Sequence, residues 1–190
     1  DSLKEPAQKA VDFIVGAQYD DGGCRNLPHN EANKRERGDT SVLGWQLMAL
    51  QSGIAAGLDV PPATLEAASH FLDGVQSENG SQYGYQARNN ATPTMTAEAL
   101  LCRVYLGWQR DRPALRMGLD HLLESASPRR GSIDMYYWYY ATFAMYQWGG
   151  NHWKQWQKAI EKALIPNQCT ESTGYKKDDN LYGSWDPIGP

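Results

Sequence analysis

Acidic side chains in turns and at helix starts are the first residues of this sequence that could do chemistry. Two pairs of neighbouring carboxylates, Asp20-Asp21 and Asp178-Asp179, stand in polar stretches. Such a pair could supply the acid and the base that cleave a glycosidic bond, or it could belong to a solvated turn. Asp39 precedes an apolar run, where Asp39 or Thr40 is expected to cap the first turn of a helix.

The histidines and cysteines do not form a metal-binding pattern. The four histidines are spread along the chain, and none approaches a cysteine at the spacing of zinc ligands. We therefore predict no metal site and no cofactor. Cys24, Cys102 and Cys169 form no C-x-x-C pair, so three free thiols are expected. A Cys24–Cys169 disulfide is the alternative, because both residues follow a helix end in equivalent places.

The aromatic residues are the candidates for ligand binding. The chain has seven Trp and eleven Tyr but only three Phe. Trp and Tyr carry a polar tip, which suits cavity walls and interfaces better than a dry core. These residues could line a pocket for an apolar or stacking ligand, and packing between helices is the alternative. The predicted ligand-binding residues are Trp45, Tyr136, Tyr137, Trp138 and Tyr140.

Composition and charge exclude several classes of partner. The chain has 190 residues, of which 41% are hydrophobic and 21% charged, as is typical of one globular domain. The net charge is −4 and the basic residues are scattered, so nucleic acid is not expected as a partner. No apolar run approaches the length of a membrane span and no signal peptide is recognised, so a soluble chain is expected. The sequence indicates no compartment.

Hydrophobic periodicity predicts seven helices of two kinds that alternate along the chain. Helices that are apolar on almost all sides are expected to be buried on most sides, whereas amphipathic helices have one polar face. Their spacing of about 40–60 residues indicates a two-helix repeat, and the buried helices are expected to form an inner ring that the others wrap. Amphipathic helices begin near Pro6, Pro62, Pro113 and Trp153, and apolar helices begin near Thr40, Thr96 and Tyr137.

The repeats resemble the prenyltransferase and squalene-oxidase repeat family, which includes the squalene–hopene cyclases. The family carries a Q-x-x-x-G-x-W signature after each outer helix. Here residues 18–24 read QYDDGGC, residues 76–82 read QSENGSQ, and Gln168 is followed after an insertion by Gly183-Ser184-Trp185. Residues 39–42 are similar to the start of the family's inner helix, and residues 96–100 repeat that start. The resemblance covers nearly the whole chain and implies an all-α fold, the α/α toroid.

The resemblance does not imply an intact catalytic site. A class II cyclase protonates an alkene through a D-x-D-D motif, whereas residues 36–39 here read ERGD. Only Asp39 survives as a remnant acid, and Arg37 is expected to hold it ionised. The leading hypothesis is a non-catalytic repeat domain that binds an apolar ligand, a glycan or a partner protein. The alternatives are an isoprenoid (class II terpenoid) cyclase-like enzyme and a carbohydrate-active α/α toroid.

The resemblance also implies that residues 1–190 form a single incomplete toroid, a piece of a longer chain. In the family, a Gly-Ser-Trp segment is normally followed by another inner helix, whereas here the sequence runs into residues 186–190. We therefore expect an open inner-helix slot. Its apolar surface would be covered by another chain or by a lipid.

Overall fold

The fold is all-α. A computed structural model describes residues 3–129 and 133–185. Residues 186–190, on which the predicted open inner-helix slot depends, lie outside the described residues. A short hairpin lies between the third and fourth helices. Its two strands, β1 (Gln76–Ser77) and β2 (Gln82–Tyr83), have two residues each and pair antiparallel. The predicted class and order of helices are confirmed. The helices are α1 (Lys4–Gly16), α2 (Thr40–Ala55), α3 (Pro62–Val75), α4 (Pro93–Tyr105), α5 (Pro113–Ala126), α6 (Met135–Trp148) and α7 (Gly150–Leu164).

The three helices predicted to be inner, α2, α4 and α6, all start at a side-chain cap. Asp39, Thr92 and Asp134 each accept a hydrogen bond from the backbone N–H three residues on, at 2.9, 3.1 and 2.9 Å. Each cap satisfies an amide that the first helical turn leaves free. Asp39 is therefore the N-cap of α2, as predicted. Helix α4 begins at Pro93, earlier than expected, because proline fits the first helical position.

Two of the glutamine–glycine pairs make the same side-chain hydrogen bond. The Nε2 atom of Gln18 donates to the carbonyl of Gly22 at 2.9 Å, and that of Gln168 donates to the carbonyl of Gly183 at 2.8 Å. The two glycines have φ angles of +82° and +86°, which disfavour any residue with a side chain. The two segments differ in length, because residues 169–182 separate the members of the second pair, and the repeat stays a prediction.

Helix α4 lies at the centre of the core. It contacts α2 and α6, and α5 packs against it as well. Its residues from Met95 to Arg103 are all buried, including the carboxyl-bearing Glu98. The expectation of a helix buried on all sides is confirmed for α4.

Helix α2 is buried where it packs on α1 and α4, and α6 is buried where it packs on α4 and α7, but each helix also has a side exposed to water. Helix α2 exposes Trp45 and Ile54, and the exposed side of α6 carries three tyrosines and Phe143. The prediction of burial on most sides was therefore too strong for these two helices, because no helix among residues 3–129 and 133–185 covers the exposed side. The ring arrangement of the toroid stays a prediction.

The cysteines and the helix lengths complete the description. Cys24, Cys102 and Cys169 are buried free thiols, so the alternative of a Cys24–Cys169 disulfide does not hold in this structure. Within the part of the chain that the structure describes, every helix is too short or too polar to cross a membrane.

Candidate functional site

Helices α2 and α6 present a continuous surface of rings, here called the aromatic face. The ring of Trp45 from α2 stacks on that of Tyr139 from α6, with centroids 5.8 Å apart and planes 22° apart. Tyr139 in turn meets Phe143 edge to face at 5.0 Å. The exposed members on α6 recur at the three- and four-residue steps that place side chains on one helical stripe. The aromatic face consists of Trp45, Tyr136, Tyr139, Phe143 and Tyr146.

The structure brings together three of the five predicted ligand-binding residues. Trp45 and Tyr136 lie on the aromatic face, and Tyr140 is buried directly behind it. The ring of Tyr140 lies 5.8 Å from Trp45 and 5.0 Å from Tyr136. These three residues therefore form one cluster.

Tyr137 and Trp138 lie on the opposite side of α6. Both are 4% exposed, and Tyr137 packs edge to face on Trp156 at 5.9 Å. They also line a small cavity of about 220 Å³ that includes Thr94 at the start of α4. Tyr137 thus packs between helices, and a ligand-binding role for these two residues stays a prediction.

Glu98 is the functional candidate that the sequence analysis missed. Its side chain extends from the fully buried α4 to the cluster behind the aromatic face. The Tyr136 hydroxyl donates to Glu98 Oε2 at 3.0 Å, whereas Oε1 is buried without a hydrogen-bond partner among the described residues. The signal was available, because a glutamate in the middle of an otherwise apolar helix is rarely buried without a reason.

Burial controls the protonation of Glu98. Desolvation raises the pKa of this carboxyl to about 8, the hydrogen bond from Tyr136 acts in the opposite direction, and the charge of Asp39 adds to the rise. At pH 7 the group is therefore mostly a neutral carboxylic acid. It can donate a hydrogen bond or a proton, which an ionised glutamate cannot do.

Gly44 lets α2 approach this carboxyl closely. A Cβ atom on Gly44 would stand 2.0 Å from Glu98 Oε1. We expect Gly44→Ala to destabilise the protein by about 1–3 kcal/mol, because the added methyl group forces the buried side chain to move. Denaturant unfolding of Gly44→Ala, Glu98→Ala and the double variant measures the interaction free energy between positions 44 and 98.

In the Glu98→Ala background the clash is absent. There, Gly44→Ala should be neutral or stabilising by up to about 1 kcal/mol, because alanine favours helix more than glycine does. An equal cost of Gly44→Ala in both backgrounds would contradict the close contact.

Asp39 is held as a helix cap within a hydrogen-bonded network. Besides the capped amide, its carboxylate accepts from Ser41 Oγ at 2.7 Å and from the Tyr85 hydroxyl at 2.8 Å. Arg37, which was expected to hold Asp39 ionised, lies 3.6 Å from Asp21 instead. Hydrogen-bond donors rather than a guanidinium therefore surround Asp39.

The paired acids belong to turns. Asp21 accepts from the backbone N–H of Gly23 at 3.0 Å and of Gly38 at 3.2 Å. Asp179 accepts from the N–H of Lys176 at 2.6 Å. Across the described ranges, no group of three or more His, Cys, Asp or Glu side chains could hold a metal ion.

Comparisons with protein-family models, with curated proteins and with solved structures gave no match. The resemblance to the prenyltransferase and squalene-oxidase repeats therefore stays a prediction, and the function is argued from geometry.

Proposed function

We propose that this chain is a non-catalytic repeat domain, similar to those of the squalene cyclases, whose aromatic face binds an apolar small molecule. The observation that carries the proposal is the ring contact between Trp45 of α2 and Tyr139 of α6. Two helices together support one ring surface that water reaches, and an exposed apolar patch of this kind is typical of binding sites.

The charge of the site favours an uncharged ligand. The five members of the aromatic face carry no charge at pH 7. The carboxyl behind it, Glu98, has a pKa of about 8 and is mostly neutral there. A long isoprenoid alcohol or hydrocarbon could cover the rings and leave its single hydroxyl near the tyrosine hydroxyls.

Removal of Trp45 tests the proposal. We expect Trp45→Ala to weaken the binding of farnesol about tenfold or more, because the variant loses the largest ring of the aromatic face. The measurement is equilibrium dialysis with labelled farnesol, kept below its aggregation limit. Met117→Ala is the matched control, since Met117 on α5 is 48% exposed and Trp45 is 49% exposed.

Occupation of the aromatic face by a protein instead of farnesol would give a different experimental result. If farnesol does not bind while the chain self-associates through this face, measured as a dimer that Trp45→Ala dissociates, the surface is a protein interface and the proposal is wrong. Equal loss in Trp45→Ala and Met117→Ala would also contradict it.

A second candidate function is an isoprenoid cyclase-like enzyme, with Glu98 rather than Asp39 as the acid. It is favoured by the neutral carboxyl whose Oε2 lies 3.0 Å from the hydroxyl of Tyr136, a member of the aromatic face. Incubation with squalene decides between the two candidates. Turnover that Glu98→Gln abolishes would establish the enzyme and overturn the non-catalytic role.

A further inference from the structure

A second site lies away from the aromatic face, where α4 and α6 end. A cavity of about 440 Å³ opens there between the loop after α4 and the last turn of α6. Its volume is in the range of small-molecule sites. We call it the two-tryptophan cavity. The residues that give it its chemistry are Trp108, Gln109, Arg110, Asp111, Gln147 and Trp148.

The two indole rings are fixed by neighbours that lie outside the cavity. The guanidinium of the buried Arg103 lies 4.8 Å from the ring centroid of Trp108. Trp148 Nε1 donates to His152 Nδ1 at 3.1 Å, and His152 Nε2 lies 2.7 Å from a carboxylate oxygen of Asp120. Both rings are therefore held in place before any ligand arrives, which lowers the entropic cost of binding.

The carboxylate and amide side chains of the cavity have polar atoms free to bind a ligand, whereas the Arg110 guanidinium already donates to the backbone carbonyl of Gln147 at 3.4 Å. Within the described part of the chain, the Asp111 carboxylate and the Gln147 side-chain amide have no hydrogen-bond or ion-pair partner. Gln109 uses one amide hydrogen at 3.2 Å to the carbonyl of Gly107, which leaves its side-chain oxygen available. The cavity thus offers acceptors, amide donors and a guanidinium between two rings.

We propose that the two-tryptophan cavity binds a neutral carbohydrate. A pyranose ring presents C–H groups that pack on an indole ring and hydroxyls that both donate and accept, so it uses the rings and the polar groups together.

Other ligand classes fit the cavity less well. The Arg110 guanidinium would attract an anion, but the Asp111 carboxylate beside it and the negative ends of α4 and α6 offset that attraction. A purely apolar molecule would leave the side chains of Gln109, Asp111 and Gln147 without partners, and unpaired polar groups lower affinity.

The test uses the indole N–H signals of the seven tryptophans in ¹H–¹⁵N spectra. Maltose, cellobiose and N,N′-diacetylchitobiose are the probes. At least one of them is expected to shift the signals of Trp108 and Trp148 and to leave that of Trp45 unchanged. Asp111→Ala, in an exposed loop, and Trp148→Ala should each weaken the affinity roughly tenfold.

Two controls make the result specific to this cavity. Asp178→Ala removes another exposed loop carboxylate and should leave binding unchanged, as should Trp45→Ala. If none of the three sugars shifts any indole signal, or if Trp45 responds and Trp148 does not, the proposal is overturned. Farnesol binding is measured independently at Trp45, so a failure of this site and a failure of the aromatic face are distinguishable.

Discussion

Glu98→Gln is expected to stabilise the protein at pH 8 by roughly 2–4 kcal/mol and to remove a pH dependence that the unsubstituted protein shows between about pH 5 and pH 8. The cause is the burial of Glu98, which raises the pKa of its carboxyl from 4.5 to about 8 in the folded state. Glutamine has the shape of the neutral acid and can accept the same hydrogen bond from Tyr136 without ever becoming charged.

The sign of the effect follows from proton binding. Above pH 4.5 the unfolded chain has lost the proton of Glu98, whereas the folded chain keeps it up to about pH 8. The unfolded state therefore binds fewer protons in this window, and stability falls as pH rises, by up to about 1.4 kcal/mol per pH unit. Below the window, wild type and Glu98→Gln should differ little.

Denaturant unfolding at pH 5, 6, 7 and 8 measures the difference in the free energy of unfolding between the two proteins. Other titrating groups cancel in that difference. Glu66→Gln on the exposed side of α3 is the matched control for replacing a helical glutamate by glutamine. A difference for Glu98→Gln that stays constant from pH 5 to pH 8 would show that Glu98 is ionised in the folded protein.

Much of the fold was predictable because its signals are local. Apolar spacing marked the helices, and short polar residues marked their starts, as at Asp39. The start of α4 was missed because Thr92 and Pro93 precede the apolar run that was used to place it. The exposure of α2 and α6 was also missed, since it depends on which neighbours are present and not on the periodicity of either helix.

The candidate site was only partly predictable because it depends on contacts between distant segments. Trp45 and Tyr139 are 94 positions apart in the chain, and no local pattern indicates that their rings stack. The rotation of α6 against α4 decides that Tyr136 faces outward and Tyr137 inward. The contacts of Glu98 with Gly44 and Tyr136 likewise join α4 to α2 and α6, and no local pattern indicates them.

Arg103→Ala is expected to destabilise the protein by about 3–5 kcal/mol. The Arg103 side chain is 1% exposed and lies in the core between α3, α4 and β2. Its guanidinium donates to the Tyr83 hydroxyl at 3.1 Å, to Ser69 Oγ at 2.9 Å and to the Asp73 carboxylate, with which it also forms an ion pair. Truncation removes all of these contacts and leaves the buried Tyr83 hydroxyl without a partner.

Substitutions at Asp73 and at Arg103 are expected to differ in how much stability they cost. Asp73→Ala should cost less than Arg103→Ala, because the Asp73 side chain is 52% exposed and water can replace part of its role. Arg103→Lys should also be destabilising, since an ammonium group cannot reproduce the planar fork of donors that reaches three partners at once. The planar geometry of the guanidinium is therefore expected to contribute to stability in addition to its charge.

The measurement is the free energy of unfolding in urea, with Arg116→Ala as the control. Arg116 is an arginine on α5 whose side chain is 69% exposed and lies 3.6 Å from Asp120, and its loss should change stability by no more than about 0.5 kcal/mol. If Arg103→Ala were as mild as Arg116→Ala, the guanidinium would not be buried among these partners. The side of Trp108 that faces away from the two-tryptophan cavity would then lack its support.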